Sequence, residues 1–152
     1  MSHTAHKTAD EITEYHDSPD EFASKIKQLA LWFKESRHTV AFTGAGISTS
    51  AGIPDYRGPQ GVWTLRAQGK APVYGVDCQV AIPTFCHMSL VELQRHGLLH
   101  FLISQNVDGL HRRSGFPPTS LSELHGNSNV ERCRKCKKVE LFPWIVIVVT
   151  VI

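Results

Sequence analysis

A glycine-rich stretch that follows a short apolar strand is the feature that most constrains the fold of this chain. Residues 39–42 are β-branched and apolar, which is typical of a buried strand. Gly44 and Gly46 follow at once, among small residues, in the segment TGAGISTSAG. Small residues allow a backbone to approach a ligand closely, and a helix that opens there would direct N–H groups at a phosphate. The pattern predicts a dinucleotide-binding turn, although Thr49 replaces the third glycine of the G-x-G-x-x-G fingerprint.

The end of the same stretch, residues 54–58, places a carboxylate, an aromatic ring and a guanidinium in one loop. Pro and Gly keep such a segment out of regular secondary structure. The loop carries Asp55, Tyr56 and Arg57, and it can close over a ligand whose phosphates lie on the glycine turn. A solvated surface arginine is the alternative for Arg57, but a loop fixed by Pro and Gly favours the ligand contact.

The first predicted helix begins near the polar N-terminal segment. Ser18 can cap it, Pro19 suits its first turn, and Glu21 can complete a capping box. Apolar side chains at helical spacing then run to about residue 36, and they are Phe22, Ile26, Leu29, Ala30 and Phe33. We expect this apolar face to cover one face of a sheet.

Further along, the chain alternates between predicted strands and helices. Residues 64–83 show no sustained period and predict a long loop, whereas 84–96 are helical with Met88 among the apolar contacts. Compact apolar runs predict strands over 98–104 and 121–124. The alternation predicts an α/β fold: part of a Rossmann-like, doubly wound parallel sheet with helices on both faces.

Three polar residues, Gln105, Asn106 and Asp108, directly follow the second predicted strand. In open α/β sheets, ligands gather at the carboxyl ends of the strands. Two amides and a carboxylate at that place can hold a ribose and a carboxamide. The alternative is an Asx turn in which Asn106 and Asp108 cap the next helix, and both interpretations can hold for different atoms.

Cysteine usage suggests a metal rather than a disulfide. The chain has 152 residues, a net charge of +2 and four cysteines, and its polar N-terminus lacks the apolar run of a secretory signal. This favours a reducing compartment, in which Cys133-x-x-Cys136 is typical of a metal site. Structural zinc takes four ligands, so the pair predicts half of a zinc-binding module. Cys78 and Cys86 are expected to be buried or free thiols.

Four motifs in order resemble the sirtuin family of NAD-dependent protein deacylases. They are GAGIS, GIPDYRG with GVW, SQNVDGLH at 104–111, and ELHGN at 123–127 followed by Cys133-x-x-Cys136. The segments GPxGVW and SQNVDGLHxRSG most resemble the class IV branch of nuclear sirtuins. The resemblance runs from about Thr39 to Lys138.

The resemblance implies a reaction in which acyl-lysine and NAD give free lysine, nicotinamide and O-acyl-ADP-ribose. His125, whose imidazole can take up a proton near neutral pH, would be the general base toward a ribose hydroxyl. Gln105 and Asn106 would hold the nicotinamide ribose, and Asp108 would accept a hydrogen bond from the carboxamide of nicotinamide. The resemblance implies that His125, Asn106 and Asp108 are the catalytic residues. The implied NAD contacts are Gly44, Ala45, Gly46, Thr49, Asp55, Tyr56, Arg57, Trp63, Gln105, Asn106, Asp108 and His125. A structural histidine beside a glycine is the alternative for His125.

The family resemblance also implies partners and a location. A histone-like acyl-lysine protein would be the substrate, NAD the cofactor and zinc a structural ion held by Cys133 and Cys136. An association with chromatin and a nuclear location would follow, with a cytoplasmic location as the alternative because the sequence shows no clear targeting signal, and no membrane contact is expected.

These assignments divide the chain into four parts. They are a flexible arm at 1–17, the N-terminal part of an NAD-binding domain at 18–127, the first half of a zinc module at 128–140 and an apolar tail at 141–152. The tail is too short to cross a membrane, and we expect truncation, a retained intron or a gene-model error near Lys138. A truncated inactive fragment and a small zinc-binding interaction module at 121–140 are therefore the alternatives to a deacylase.

Overall fold

The computed structural model describes residues 13, 15–77, 80–136 and 138–141. Within them the helices are α1 (Pro19–Glu35), α2 (Val62–Ala67), α3 (Phe85–Arg95) and α4 (Leu110–Arg113). The strands are β1 (Val40–Thr43), β2 (Phe101–Ser104), β3 (Leu121–Glu123), β4 (Val130–Arg132) and β5 (Val139–Leu141). Most of the predicted arm, Cys78 and the predicted tail beyond Leu141 lie outside the described residues.

A parallel sheet with the strand order β1-β2-β3 forms the centre of the fold. In its register Val40 lies opposite Phe101, and Leu102 lies opposite Leu121. Strands β4 and β5 form a separate antiparallel pair. The parallel sheet confirms the predicted α/β class, because parallel neighbours require a crossover between successive strands, here supplied by α3 and α4.

The core lies against one face of this sheet. Its buried cluster consists of Val91, Leu99, Leu102, Phe116 and Leu121, with Ala41, Leu90 and Leu93 packed against it. Each such aliphatic or aromatic side chain contributes about 1.5–3 kcal/mol when it leaves water. The prediction that Met88 packs inward is wrong, since this side chain is 45% exposed. His87 and Val91, one helical turn apart, occupy the buried stripe of α3 instead.

Helix α1 begins as predicted but packs differently. The Glu21 N–H donates to Ser18 Oγ at 3.4 Å, and the Ser18 N–H donates to Glu21 Oε2 at 2.9 Å, which completes the capping box. However, no residue of α1 is buried, and Phe22 and Trp32 are 59% and 60% exposed. The expectation that its apolar face covers the sheet is wrong for the described residues. An amphipathic pattern specifies which side of a helix is apolar but not the surface that it meets.

The glycine stretch after β1 forms two 3-10 turns, Ala45–Ile47 and Thr49–Ala51. The expected α-helix does not open there. Gly52 ends the second turn at φ 84°, a left-handed conformation that favours glycine.

Among the described residues, no helix combines the length and the apolar character that crossing a membrane requires.

Candidate functional site

A cleft of about 830 Å³ opens at the carboxyl ends of β1 and β2. Four segments form its walls: the glycine turn, the loop that leads into α2 together with α2 itself, the loop after β2, and the loop after β3. The lining residues are Ala45, Gly46, Asp55, Tyr56, Arg57, Trp63, Arg66, Gln105, Asn106, Val107 and His125. Most of the residues predicted for the cofactor site therefore lie in one place, although they are far apart in sequence.

Gly44 lies just behind the wall of the cleft. A Cβ at this position would overlap the side-chain amide of Gln105, so glycine permits the close approach of the loop after β2. The Gly44 carbonyl accepts a hydrogen bond from Asn106 Nδ2 at 2.9 Å. Thr49 Oγ1 donates to the Gly46 carbonyl at 2.9 Å and thereby stabilises the turn. Direct contacts of Gly44 and Thr49 with a cofactor stay predictions.

The loop at 55–61 and the first turn of α2 bring polar and aromatic side chains together in another wall of the cleft. The rings of Tyr56 and Trp63 lie 4.8 Å apart between centroids, and Arg57 Cζ lies 5.6 Å from the Trp63 ring centre. The carboxylate of Asp55 accepts from the Gly58 N–H at 3.1 and 3.2 Å, which fixes the loop from within. The Trp63 N–H donates to the Tyr56 carbonyl at 2.9 Å and attaches the loop to α2.

Sequence reasoning missed two lining residues, Arg66 and Val107. Arg66 follows Trp63 by three positions on α2, and that spacing places both on one helical face. Val107 lies inside the quoted QNVDG segment. Arg66 matters more, because together with Arg57 it gives the cleft two guanidinium groups. Guanidinium groups favour anions such as phosphates.

His125 lies in the turn after β3 and lines the same cleft as Arg57 and Arg66. The Leu124 N–H donates to the Ser104 carbonyl at 2.9 Å, which extends the β2–β3 pairing into this turn. His125 Nδ1 then lies 2.8 Å from the Gln105 carbonyl oxygen. Since a carbonyl only accepts, Nδ1 carries the proton and the uncharged ring has its lone pair on Nε2.

Asp108 is buried, and both of its carboxylate oxygens have partners inside the protein. Oδ2 accepts from Ser48 Oγ at 2.7 Å, and Oδ1 accepts from the Leu110 N–H at 2.9 Å. The second bond is the helix-capping turn that the sequence left open as an alternative. Asp108 is absent from the lining of the cleft. Its contact with a carboxamide stays a prediction.

Two buried histidines form a polar layer behind the glycine turn. His87 and His111 are 0% and 2% exposed, and their ring centroids lie 4.7 Å apart. His87 Nδ1 accepts from the Thr84 N–H at 3.3 Å, and His111 Nε2 lies 2.9 Å from Thr43 Oγ1. Burial lowers the pKa of both, that of His111 to about 4, with the neighbouring His87 acting in the same direction and Asp108 opposing it. Both rings are therefore uncharged near neutral pH.

Zinc binding by the Cys133-x-x-Cys136 pair stays a prediction. Cys133 and Cys136 have exposed side chains in the connection between β4 and β5, where the Cys133 N–H donates to the Lys138 carbonyl at 2.9 Å. Among the described residues, no group of three or more side chains is arranged to hold a metal ion. The described residues thus fit half of a tetrahedral site and not a complete one. Cys86, expected to be a buried or free thiol, is free and exposed.

Known proteins are similar to this chain in sequence and in fold. The model of the Sir2 family matches residues 73–146. NAD-dependent protein deacetylase SRT1 of Oryza sativa subsp. indica is 57% identical over 128 residues, which are 84% of this chain and 26% of that protein. NAD-dependent protein deacetylase sirtuin-7 of Homo sapiens is 49% identical over 120 residues, which are 79% of this chain and 30% of that protein.

The solved structures give the same answer. The structure titled "Sir2-p53 peptide-NAD+" aligns with a TM-score of 0.58 at 35% identity, over 77% of this chain and 52% of that chain. A Sir2 structure bound to a propionylated peptide gives a TM-score of 0.56 at 34% identity, over 78% and 52%. This chain spans about half of the solved chains and 26–30% of the two relatives above. Sequence identity and fold agree: the chain belongs to the Sir2 family, the sirtuins.

Proposed function

We propose that this chain carries the catalytic residues of an NAD-dependent protein-lysine deacylase. Such an enzyme converts acyl-lysine and NAD into lysine, nicotinamide and O-acyl-ADP-ribose. One observation carries the proposal: His125 lines the cleft, and its Nδ1 donates to the Gln105 carbonyl at 2.8 Å. The bond leaves Nε2 as the proton acceptor. Relatives named as NAD-dependent protein deacetylases, and a Sir2 structure whose title includes a peptide and NAD+, support the proposal.

The side chains of the cleft fit a nicotinamide dinucleotide. Arg57 and Arg66 would face the pyrophosphate, since guanidinium groups pair with phosphate oxygens. The rings of Tyr56 and Trp63 offer apolar faces against which a planar heterocycle can pack. When bound, NAD supplies an electrophilic ribose carbon and nicotinamide as the leaving group. Gln105, Asn106 and Asp108 complete the proposed contacts, as the sirtuin resemblance implies.

The proton chemistry belongs to residues of this chain. His125 would take a ribose hydroxyl proton on Nε2, and the Gln105 carbonyl would then stabilise the charged ring through Nδ1–H. Asn106 donates through Nδ2 to the Gly44 carbonyl, so its Oδ1 is the acceptor that it offers to a hydroxyl. Asn106 would therefore orient the group from which His125 removes the proton.

We also propose the finer assignments that the motifs suggested. The substrate would be a histone-like acyl-lysine protein associated with chromatin, and the location nuclear, because the GPxGVW segment resembles class IV sirtuins and relatives are named sirtuin-7. Cys133 and Cys136 would be two of the ligands of a structural zinc ion. Residues 18–127 would belong to the NAD-binding domain and 128–140 to the zinc module.

Nicotinamide release in the presence of NAD and an acetyl-lysine peptide tests the proposal. We expect release that depends on the peptide, and a fall of at least about a hundredfold in His125→Ala, since general-base catalysis contributes about 10²–10⁴. His96→Ala is the matched control, because His96 is an exposed histidine at the end of α3, outside the cleft. NAD binding without peptide-dependent release would favour the non-catalytic alternative. Activity that survives His125→Ala would refute the assignment of the base.

A further inference from the structure

Two loops carry the residues proposed to do the chemistry. The asparagine loop, residues 105–109, follows β2 and contains Asn106. The histidine loop, residues 124–129, follows β3 and contains His125. The bond from His125 Nδ1 to the Gln105 carbonyl joins the two loops at the cleft, so its geometry depends on how firmly the loops hold each other.

Behind the cleft, the histidine loop donates to backbone carbonyls of the asparagine loop. Both the N–H and the Oγ of Ser128 donate to the Val107 carbonyl, at 2.8 and 2.7 Å. Asn129 Nδ2 donates to the Asp108 carbonyl at 2.9 Å. Gly109 ends the asparagine loop at φ 71°, and a Cβ there would lie 2.5 Å from Asn129 Nδ2. The two loops are thus in direct contact at several positions, from Gln105 to Gly109.

Glu123, the last residue of β3, fixes the far side of this arrangement. Its side chain is only 8% exposed, and its two carboxylate oxygens have different partners. Oε2 accepts from Arg112 Nε of α4 at 2.7 Å, and Oε1 accepts from Asn127 Nδ2 at 2.7 Å. Asn127 Oδ1 in turn accepts from the Asn129 N–H at 2.8 Å. One buried carboxylate therefore connects the helix that follows the asparagine loop to the middle of the histidine loop.

We propose that Glu123 is a positioning residue for His125 and Asn106, a role that rests on the proposed function. It does not line the cleft, so it acts through Arg112 and Asn127. Hydrogen bonds to a buried charge are stronger than neutral ones, and a carboxylate with both oxygens occupied holds two elements at a fixed spacing. Loss of that spacing would lengthen or break the His125–Gln105 bond. Misplacement by about 1 Å can cost on the order of a hundredfold in rate.

Three variants separate positioning from general stability. Glu123→Ala removes both acceptor oxygens, and Glu123→Gln keeps one acceptor and removes the charge. Glu92→Ala is the matched control: Glu92 is an exposed glutamate of α3 that pairs with His96 at 3.0 Å and Arg95 at 3.6 Å, away from the cleft. The control and the test variants thus each remove a glutamate that pairs with an arginine.

Steady-state kinetics give the first readout. We expect Glu123→Ala to lower kcat by about ten- to a hundredfold while KM for NAD changes by less than about threefold, since the Arg57 and Arg66 wall is untouched. Glu123→Gln should lie between Glu123→Ala and the parent, and Glu92→Ala should match the parent. An unchanged kcat in Glu123→Ala, or a rise in KM alone, would overturn the proposal.

Nuclear magnetic resonance gives a readout that does not need turnover. In the parent, the ¹⁵N shifts of His125 should show the proton on Nδ1, and the Ser128 amide should be protected from hydrogen exchange. In Glu123→Ala, and less so in Glu123→Gln, we expect a mixture of tautomers and loss of that protection, with no change in Glu92→Ala. If the parent releases no nicotinamide, the proposed function fails while this measurement still decides the role of Glu123. Unchanged tautomer and protection in both Glu123 variants would overturn it.

Discussion

Because His111 is buried, we predict that the folded chain loses stability in mild acid. Its pKa falls from an ordinary 6.5 to about 4, because burial penalises the charged ring. The unfolded chain therefore takes up a proton in a pH range in which the folded chain does not. This ring leaves the unfolding free energy unchanged above about pH 6.5. The unfolding free energy then decreases as the pH falls toward 4, where the loss that His111 causes reaches about 3 kcal/mol. A typical domain has only about 5–15 kcal/mol in total.

The neighbouring charged groups do not reverse this sign. His87, whose pKa is also lowered by burial and by Arg113, adds to the loss. The charge of Asp108 acts to raise the pKa of both rings, and it thereby reduces the acid loss of stability without cancelling it. From His111 alone, the linkage relation gives a loss of about 2 kcal/mol between pH 8 and pH 5.

Urea unfolding of the chain at a series of pH values between 8 and 4.5 measures this loss. His111→Gln keeps a hydrogen-bonding group near Thr43 but removes the titration, so its unfolding free energy should change less with pH than that of the parent. His96→Gln, an exposed control on α3, should keep the parental pH dependence. If His111→Gln shows the same acid loss as the parent, the charge on this ring is not the cause, and the reasoning is refuted.

Three further predictions concern single contacts. Gly109→Ala should lower the unfolding free energy by about 1–3 kcal/mol in urea, because φ 71° and the contact with the histidine loop leave no room for a Cβ. Ser48→Ala should cost about 1–3 kcal/mol in the same assay, since it removes the hydroxyl that donates to Oδ2 of buried Asp108; restoration by Ser48→Thr would confirm the hydroxyl as the cause. Arg66→Ala should weaken NAD binding in calorimetry by about tenfold and reduce its salt dependence, whereas Arg95→Ala on α3 should do neither. Equal affinities of the two arginine variants would contradict the phosphate assignment.

Local patterns predicted the sheet and much of the cleft because they act over a few residues. The capping box at Ser18, the apolar run before Ser104 and the glycine stretch each specify one element or turn. In a parallel sheet, residues that follow neighbouring strands meet at one edge, so Ala45 and Gln105 line the same cleft. Arg66 was missed because no motif marks it, although its helical spacing from Trp63 could have identified it.

The errors arose where a pattern is compatible with more than one three-dimensional arrangement. Helix α1 is amphipathic, but its pattern does not identify the surface opposite, and none of its residues is buried. Glycine spacing is compatible with 3-10 turns as well as with an α-helix, and Thr49 closes its turn through its own hydroxyl. Asp108 could not be assigned to cleft or interior, because a carboxylate after a strand serves either a ligand or a helix cap. The observed bond from the Leu110 N–H corresponds to the cap, and the bond from Ser48 Oγ attaches the same carboxylate to the glycine turn.

The segment from Gln105 to His111 explains how such short strands hold a defined site. Its first residues, Gln105 to Val107, line the cleft, whereas Asp108 and His111, which follow, are buried. Three side-chain hydrogen bonds attach it to the end of β1 and the glycine turn, and they join Asn106 to Gly44, Asp108 to Ser48, and His111 to Thr43. Two walls of the cleft are thereby one unit, fixed by polar bonds that lie behind it. A change at Ser48 or His111 should therefore alter cofactor affinity although neither side chain lines the cleft.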